Sequence, residues 1–236
     1  MDPSNADRMQ WLIEHRHSCR APFDPSQRIA EPELAAIVEA ARWAPTAHNM
    51  QNFRLIVVDD PAVLGALGAI RAPVSPAFIV ENFRQLSWSE DELARRKTGI
   101  LGTMFPPSWR TGDPARVPRD AARSLGETIA GAPMLVVVVY DPTVRAPASE
   151  GDVLGMISLG CVLENMWLAA QAAHLDVQIA SAFAGDGAEP EVRRVLAVPP
   201  PWRVAFALRL GHAIVPSHGL RVRRDPETFT SRNRFG

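Results

Sequence analysis

Apolar positions follow two rhythms along the chain, a three-to-four-residue spacing and unbroken runs, and their alternation predicts interleaved helices and strands. Met9, Leu12 and Ile13 share one face from Ala6 to about His15, a first helix with Asn5 as its expected N-cap. Leu34, Ile37, Val38 and Ala41 stripe a second helix that opens at Glu31-Pro32 and runs to about Trp43. Phe53 to Val58 reads as a strand and Pro61 to Ile70 as a short helix. Met134 to Tyr140, with four consecutive valines, reads as a fully buried strand. Val153 to Leu175 is a long helix apolar around nearly its whole circumference. A strand Val177 to Ala182, a helix Glu189 to Leu196 and a strand Arg203 to Leu210 complete the order.

The interval from Arg71 to Arg123 breaks the rhythm. It mixes six prolines with Phe78, Phe83, Trp88, Phe105 and Trp109, and only Glu90 to Lys97 reads as helical. Long irregular stretches rich in aromatics are more often lids or binding loops than linkers. With no internal repeat and no linker composition elsewhere, residues 1–236 read as a single α+β domain carrying an inserted lid at about 71–123.

Composition narrows the function. At 236 residues, 47% hydrophobic and with a formal net charge of −1, the chain is neither disordered nor a basic binder of nucleic acid. Glu164, Asn165 and Gln171 interrupt the long apolar helix, which argues for burial in protein rather than in a membrane. Cys19 and Cys161 make no disulfide framework, the first residues are polar, and a reducing, cytoplasmic setting is expected. His15, His17, His48, His212 and His218 have no spaced Cys or carboxylate set beside them, so no metal site is expected. All but one of the 25 basic side chains are arginine, Lys97 being the exception, so any phosphate would be held by guanidinium forks.

Three segments concentrate hydrogen-bonding chemistry. In Arg16-His17-Ser18-Cys19-Arg20, extended alternation would set Arg16, Ser18 and Arg20 around a phosphate-sized anion, although a solvated basic turn has the same composition. Thr46-Ala47-His48-Asn49-Met50-Gln51 carries two amides suited to the edge of a heterocycle, or to ordinary turn formation. The tail sets Arg221, Arg223, Arg224, Arg232 and Arg234 against only Asp225 and Glu227, the pattern of a second anion clamp or of a solubilising end.

In this order and spacing the segments resemble the nitroreductase family. Arg16-His17-Ser18-x-Arg20 is similar to its N-terminal phosphate motif, and Ala41 to Gln51 is similar to its A-x-x-A-P-S-x-x-N-x-Q stretch. Ser158 to Leu175 resembles its long interface helix, Val192 to Pro199 its VRxxLxxP signature, and Arg221-Val222-Arg223 its C-terminal basic pair. The resemblance implies a central mixed or antiparallel sheet flanked by helices, in a homodimer with a domain-swapped C-terminal tail. It implies FMN held by Arg16, His17, Ser18, Arg20, Arg221 and Arg223, with Thr46, Ala47, His48, Asn49 and Gln51 lining the ring. NAD(P)H would be the co-substrate, with hydride entering flavin N5 and leaving in a second half-reaction to a nitroaromatic, quinone or enone. No protein acid or nucleophile is then required.

The chain departs from the family pattern at two places. Ile179 to Phe183 stands where P-x-E-G-F is common, so Ser181 and Ala182 replace Glu and Gly in the expected flavin contact, and Asn52 stands where Pro is common. Phe105 and Trp109 are expected either over the flavin as a substrate lid or in a core. A flavin carrier or regulatory module without turnover, and a reductive dehalogenase on the same fold, are the alternative functions.

Overall fold

The computed structural model describes residues 4–105, 107–118, 122–147, 151–215 and 220–235. Pro106, Pro216 and His218 lie outside these residues. The chain runs α1 (Asn5–His15), α2 (Glu31–Arg42), β1 (Phe53–Val58), α3 (Pro61–Gly68), β2 (Arg71–Pro73), α4 (Pro76–Leu86), β3 (Ser87–Trp88), α5 (Glu90–Arg96) and β4 (Ile100–Leu101). It continues through β5 (Ala122–Ser124), α6 (Leu125–Ile129), β6 (Met134–Tyr140), α7 (Val153–Ala172), β7 (Asp176–Ala180), α8 (Glu189–Val195) and β8 (Arg203–Gly211). Contacts divide these elements into two compact units, residues 1–72 with 123–217, and residues 73–122 with 218–236.

The first unit is built on an antiparallel sheet of order β1-β6-β8-β7. The valine run of β6 is continuous because both faces of the sheet are covered. Leu135, Val137 and Val139 enter one core with Leu67 of α3, Leu125 and Ile129 of α6 and Val192 of α8. Met134, Val136 and Val138 enter the other with Ile37 and Ala41 of α2 and with Leu159, Val162 and Met166 of α7. Strand alternation deals consecutive valines to opposite layers, each buried side chain contributing about 1.5–3 kcal/mol.

The long helix α7 has the length and apolarity to cross a bilayer, with a mean hydropathy of 1.6. It instead lays Ser158, Leu159, Val162, Met166, Trp167 and Ala170 into the core, and leaves Val153, Met156 and Ile157 exposed. The cap of α1 is Ser4 rather than the expected Asn5. Ser4 and Asp7 form a reciprocal capping box, and Asn5 is already helical.

The second unit holds a helix that its prolines hid. Pro76 sits in the first turn of α4, where a missing N–H costs nothing, and the Ser75 side chain caps it by accepting from Phe78 N–H at 3.1 Å. This unit has its own small core of Ile79, Val80, Phe105, Trp109 and Val117.

Candidate functional site

The segment Arg16–Phe23 leaves α1 and runs extended along the first unit. Cys19 N–H donates to Val177 O of β7 at 2.8 Å, Cys19 is buried, Arg16, His17 and Ser18 are half-buried, and Arg20 is exposed. Two residues of α7 one turn apart receive Arg16. Its guanidinium stacks 4.6 Å above the Trp167 ring, and its Nε lies 3.1 Å from Glu164 Oε1. That buried nitrogen makes no hydrogen bond among the described residues. The Trp167 indole N–H donates to His17 O at 3.3 Å, so one aromatic side chain supports two neighbouring residues of the segment. His17 Nε2 lies 3.7 Å from Asp176 Oδ1, whose other oxygen accepts from Ala213 N–H. Desolvation lowers the Arg20 pKa from its usual value.

Beneath the segment sits a residue that sequence reasoning missed. Arg209 lies near the C-terminal end of β8 and is only 1% exposed. It donates to Ile129 O at 3.2 Å, Cys19 O at 2.9 Å and Ala21 O at 2.8 Å, and stacks 4.3 Å from the Phe23 ring. Glycines make room for Phe23. A Cβ on Gly131, whose φ is +79°, would come 2.5 Å from Phe23 O, and one on Gly211 would come 2.8 Å from the Phe23 ring.

The loop between α2 and β1 is the second part of the site. His48, Asn49 and Gln51 all have left-handed backbone, with φ of 52°, 54° and 47°. Non-glycine residues in that region cost about 1–3 kcal/mol each and persist only where surroundings hold them. Here Ala47 N–H donates to Ser158 Oγ at 2.9 Å, and that hydroxyl donates onward to Leu154 O. Gln51 N–H donates to Thr46 Oγ1 at 3.2 Å. Gln51 Nε2 donates to Asn49 Oδ1 at 2.9 Å, which leaves Asn49 Nδ2 as a donor and Gln51 Oε1 as an acceptor on an exposed face.

Asn52, in the position where proline is common, anchors the loop instead. Its buried carboxamide donates to Asp141 O and Val144 O, and its own carbonyl accepts from Asp141 N–H. Ser158→Ala strands the Ala47 N–H, so a loss of about 1–3 kcal/mol in stability is expected from chemical denaturation. A loss near zero would show that the loop is held by other means.

Both parts are fastened to α7, the loop through Ser158 and the arginine segment through Glu164 and Trp167. Six residues of helix separate Ser158 from Glu164, about 9 Å of rise. Ser181 and Ala182 follow directly on β7, the strand that holds Cys19, with Ser181 exposed and Ala182 buried.

The remaining expected residues belong to the second unit. Arg221 and Arg223 are exposed in its tail, where Arg223 donates to Val222 O. Phe105 and Trp109 are buried in its core, edge-on to Phe83 and Phe78 with ring centroids 5.6 and 6.3 Å apart. The same unit contains an open hollow of about 490 Å³ lined by Phe83, Trp88, Leu101, Thr103 and Arg110. No cluster of three or more metal-ligating side chains occurs among the described residues.

Residues 13–212 match the model of the nitroreductase family. The chain belongs to that family. Membership implies an oxidoreductase, and a helix-flanked antiparallel sheet is the fold of its relatives. A solved nitroreductase with bound FMN from Desulfitobacterium hafniense superposes with a TM-score of 0.57 at 21% identity, covering 96% of this chain and 98% of that one. A second, also with bound FMN, from Bacteroides fragilis, gives 0.58 at 22% identity over 95% and 98%. Among curated proteins, Protein DrgA of Synechocystis is 25% identical over 176 residues, 75% of this chain and 69% of its own. A CLA biosynthesis enone reductase of Lactiplantibacillus plantarum is 40% identical over 50 residues, 21% of this chain and 23% of its own.

Proposed function

We propose that this nitroreductase-family chain is an FMN-dependent oxidoreductase that takes a hydride from NAD(P)H and delivers it to a small electron-poor aromatic or conjugated acceptor. The observation that carries this reading is the donor set fastened to α7. Two guanidiniums and a hydroxyl lie in Arg16–Arg20, and an amide pair with one free donor and one free acceptor lies in the loop before β1. That set fits FMN. The buried Arg16 Nε without a hydrogen bond, beside terminal nitrogens that bind nothing else among the described residues, suits the phosphate, and the Asn49–Gln51 edge suits a flavin ring with alternating carbonyl and N–H groups.

FMN, when bound, supplies the hydride-accepting and hydride-donating centre. The chain's own groups bind and orient. Arg16, Ser18 and Arg20, with His17 between them, would hold the phosphate end, joined by Arg221 and Arg223 of the tail. Thr46 to Gln51 would hold the ring edge on a backbone kept stiff by Ser158 and Asn52. Ser181 and Ala182 would border the ring in place of the family Glu and Gly. No protein proton donor is needed for hydride transfer itself. The second unit's own hollow of Phe83, Trp88 and Leu101 suits a flat apolar acceptor.

The absorption spectrum before and after anaerobic NAD(P)H tests the reading. Flavin bands that bleach, then return on adding a nitroaromatic or quinone, are expected. Bands that resist both nicotinamides would replace it with a carrier or regulatory role, and a protein that takes up no FMN would remove the flavin altogether.

We also propose a homodimer, with the tail crossing to the partner. Met9, Trp11 and Ile13 of α1, Trp43 at the end of α2, 71% exposed, and Val153, Met156 and Ile157 of α7 leave large apolar groups on the surface of one chain. A hollow of about 360 Å³ beside Met156, Leu159 and Leu163 adds to that surface. Light scattering is expected to return twice the 25.8 kDa chain mass, and a monomer that keeps its flavin would contradict the assignment.

A further inference from the structure

We infer that Arg209 is a positioning residue for the anion-holding segment. Its buried cation fixes the backbone on both sides of Arg20 and adds a positive field beneath it. The inference rests on the proposed role of Arg16–Arg20 in holding the FMN phosphate.

Arginine is almost never fully buried unless it is paired with a carboxylate. Arg209 has no ion-pair partner among the described residues; across the strands it is paired with Leu135 of β6 and the uncharged Gln178 of β7. Three carbonyls and the Phe23 ring take the place of a counter-ion. A methionine or leucine would fill the same space with no charge to desolvate, so packing alone does not account for a guanidinium here. Burial lowers its pKa to about 10, so it stays charged at neutral pH. The charged groups facing it are Arg20 and Asp176, with the Cys19 thiol alongside.

What the guanidinium touches defines its task. In an extended segment the carbonyls of residues i and i+2 point the same way. Arg209 Nη2 accepts that geometry, taking Cys19 O and Ala21 O together, so the residue between them is fixed in rotation about the chain. That residue is Arg20, whose side chain is exposed while Cys19 turns into the core. The third bond, to Ile129 O, ties the fork to the end of α6, so the segment is held against the core instead of riding as a surface strap. Ser18 and Arg20 are thereby set in place before any anion arrives, which removes ordering cost from binding. Because no carboxylate among the described residues forms an ion pair with it, the charge also adds attraction for a dianion.

The test compares FMN with riboflavin, which has the same ring system and no phosphate. Flavin-free wild type, Arg209→Met and Arg209→Lys are titrated with each ligand, following flavin fluorescence, with near-UV circular dichroism as the check on folding. Wild type is expected to prefer FMN. In Arg209→Met that preference should fall about tenfold, with riboflavin affinity changed less than about twofold. Arg209→Lys should lie between, since an ammonium keeps the charge without the two-armed fork that holds Cys19 O and Ala21 O through one nitrogen and Ile129 O through the other.

A merely structural role would weaken both ligands together or neither. A folded Arg209→Met or Arg209→Lys with the wild-type preference overturns the inference. So does a failure of both variants to fold, because the residue would then serve the fold and not the segment. A wild type without preference for FMN would instead sink the phosphate assignment itself, and the inference with it.

Discussion

Arg16→Ala protein is expected to be purified folded and nearly free of FMN. Arg16 would supply a charge-assisted bond to the phosphate, worth about 1.5–3 kcal/mol, or roughly a 10- to 100-fold loss of affinity. The loss should exceed that of a simple deletion, because Glu164, now without its cation at 3.1 Å, would face the same phosphate with an unpaired charge. Stability should change little. Glu164 is half-exposed, so the ion pair contributes about 0–1 kcal/mol, and the stacking on Trp167 about 0.5–1 kcal/mol. Flavin occupancy read from absorbance, with a melting curve beside it, separates the two effects. Full occupancy at wild-type protein concentration would remove Arg16 from the site.

Phe23→Ala is expected to cost about 3–5 kcal/mol, a large fraction of a total stability of about 5–15 kcal/mol. The ring is fully buried and lies against Gly211, while its carbonyl is crowded by Gly131. It is also the aromatic face beneath Arg209, so truncation removes packing and leaves a buried cation with three carbonyls and no ring. The midpoint of urea unfolding should fall with an unchanged slope. A cost under about 1 kcal/mol would mean that the segment is not seated in the core, and the account of how Arg20 is held would fail with it.

Much of the fold was legible because its signals are local. The strands Phe53–Val58 and Met134–Tyr140 appear where the apolar runs placed them, and the remaining major elements begin and end within a few residues of their patterns. Helix α4 hides in the sequence because prolines crowd its interval, yet Pro76 after the capping Ser75 is a starting signal. The N-cap of α1 shifted by one residue because Ser4 has Asp7 three positions on to complete the box.

The site was legible in part. Its motif residues could be picked out because short segments such as Arg16–Arg20 and Thr46–Gln51 concentrate polar groups that no helix or strand uses. Their supports could not be. Glu164 stands out only as a polar break in an apolar helix, nothing local marks Trp167 or Ser158 as a support, and Asn52 shows as a departure from Pro without revealing the clamp on Asp141 and Val144.

The order of elements, the α+β class, the family and the residue types of the candidate site follow from the sequence alone, because periodicity and motif spacing are properties of neighbours along the chain. Only the tertiary structure decided which of those residues are held and by what. Nothing local marks Arg209 of β8, because it lies 80 to 190 residues from the carbonyls it bonds. Partners that far apart leave no periodic trace, since folding alone brings them within hydrogen-bonding distance.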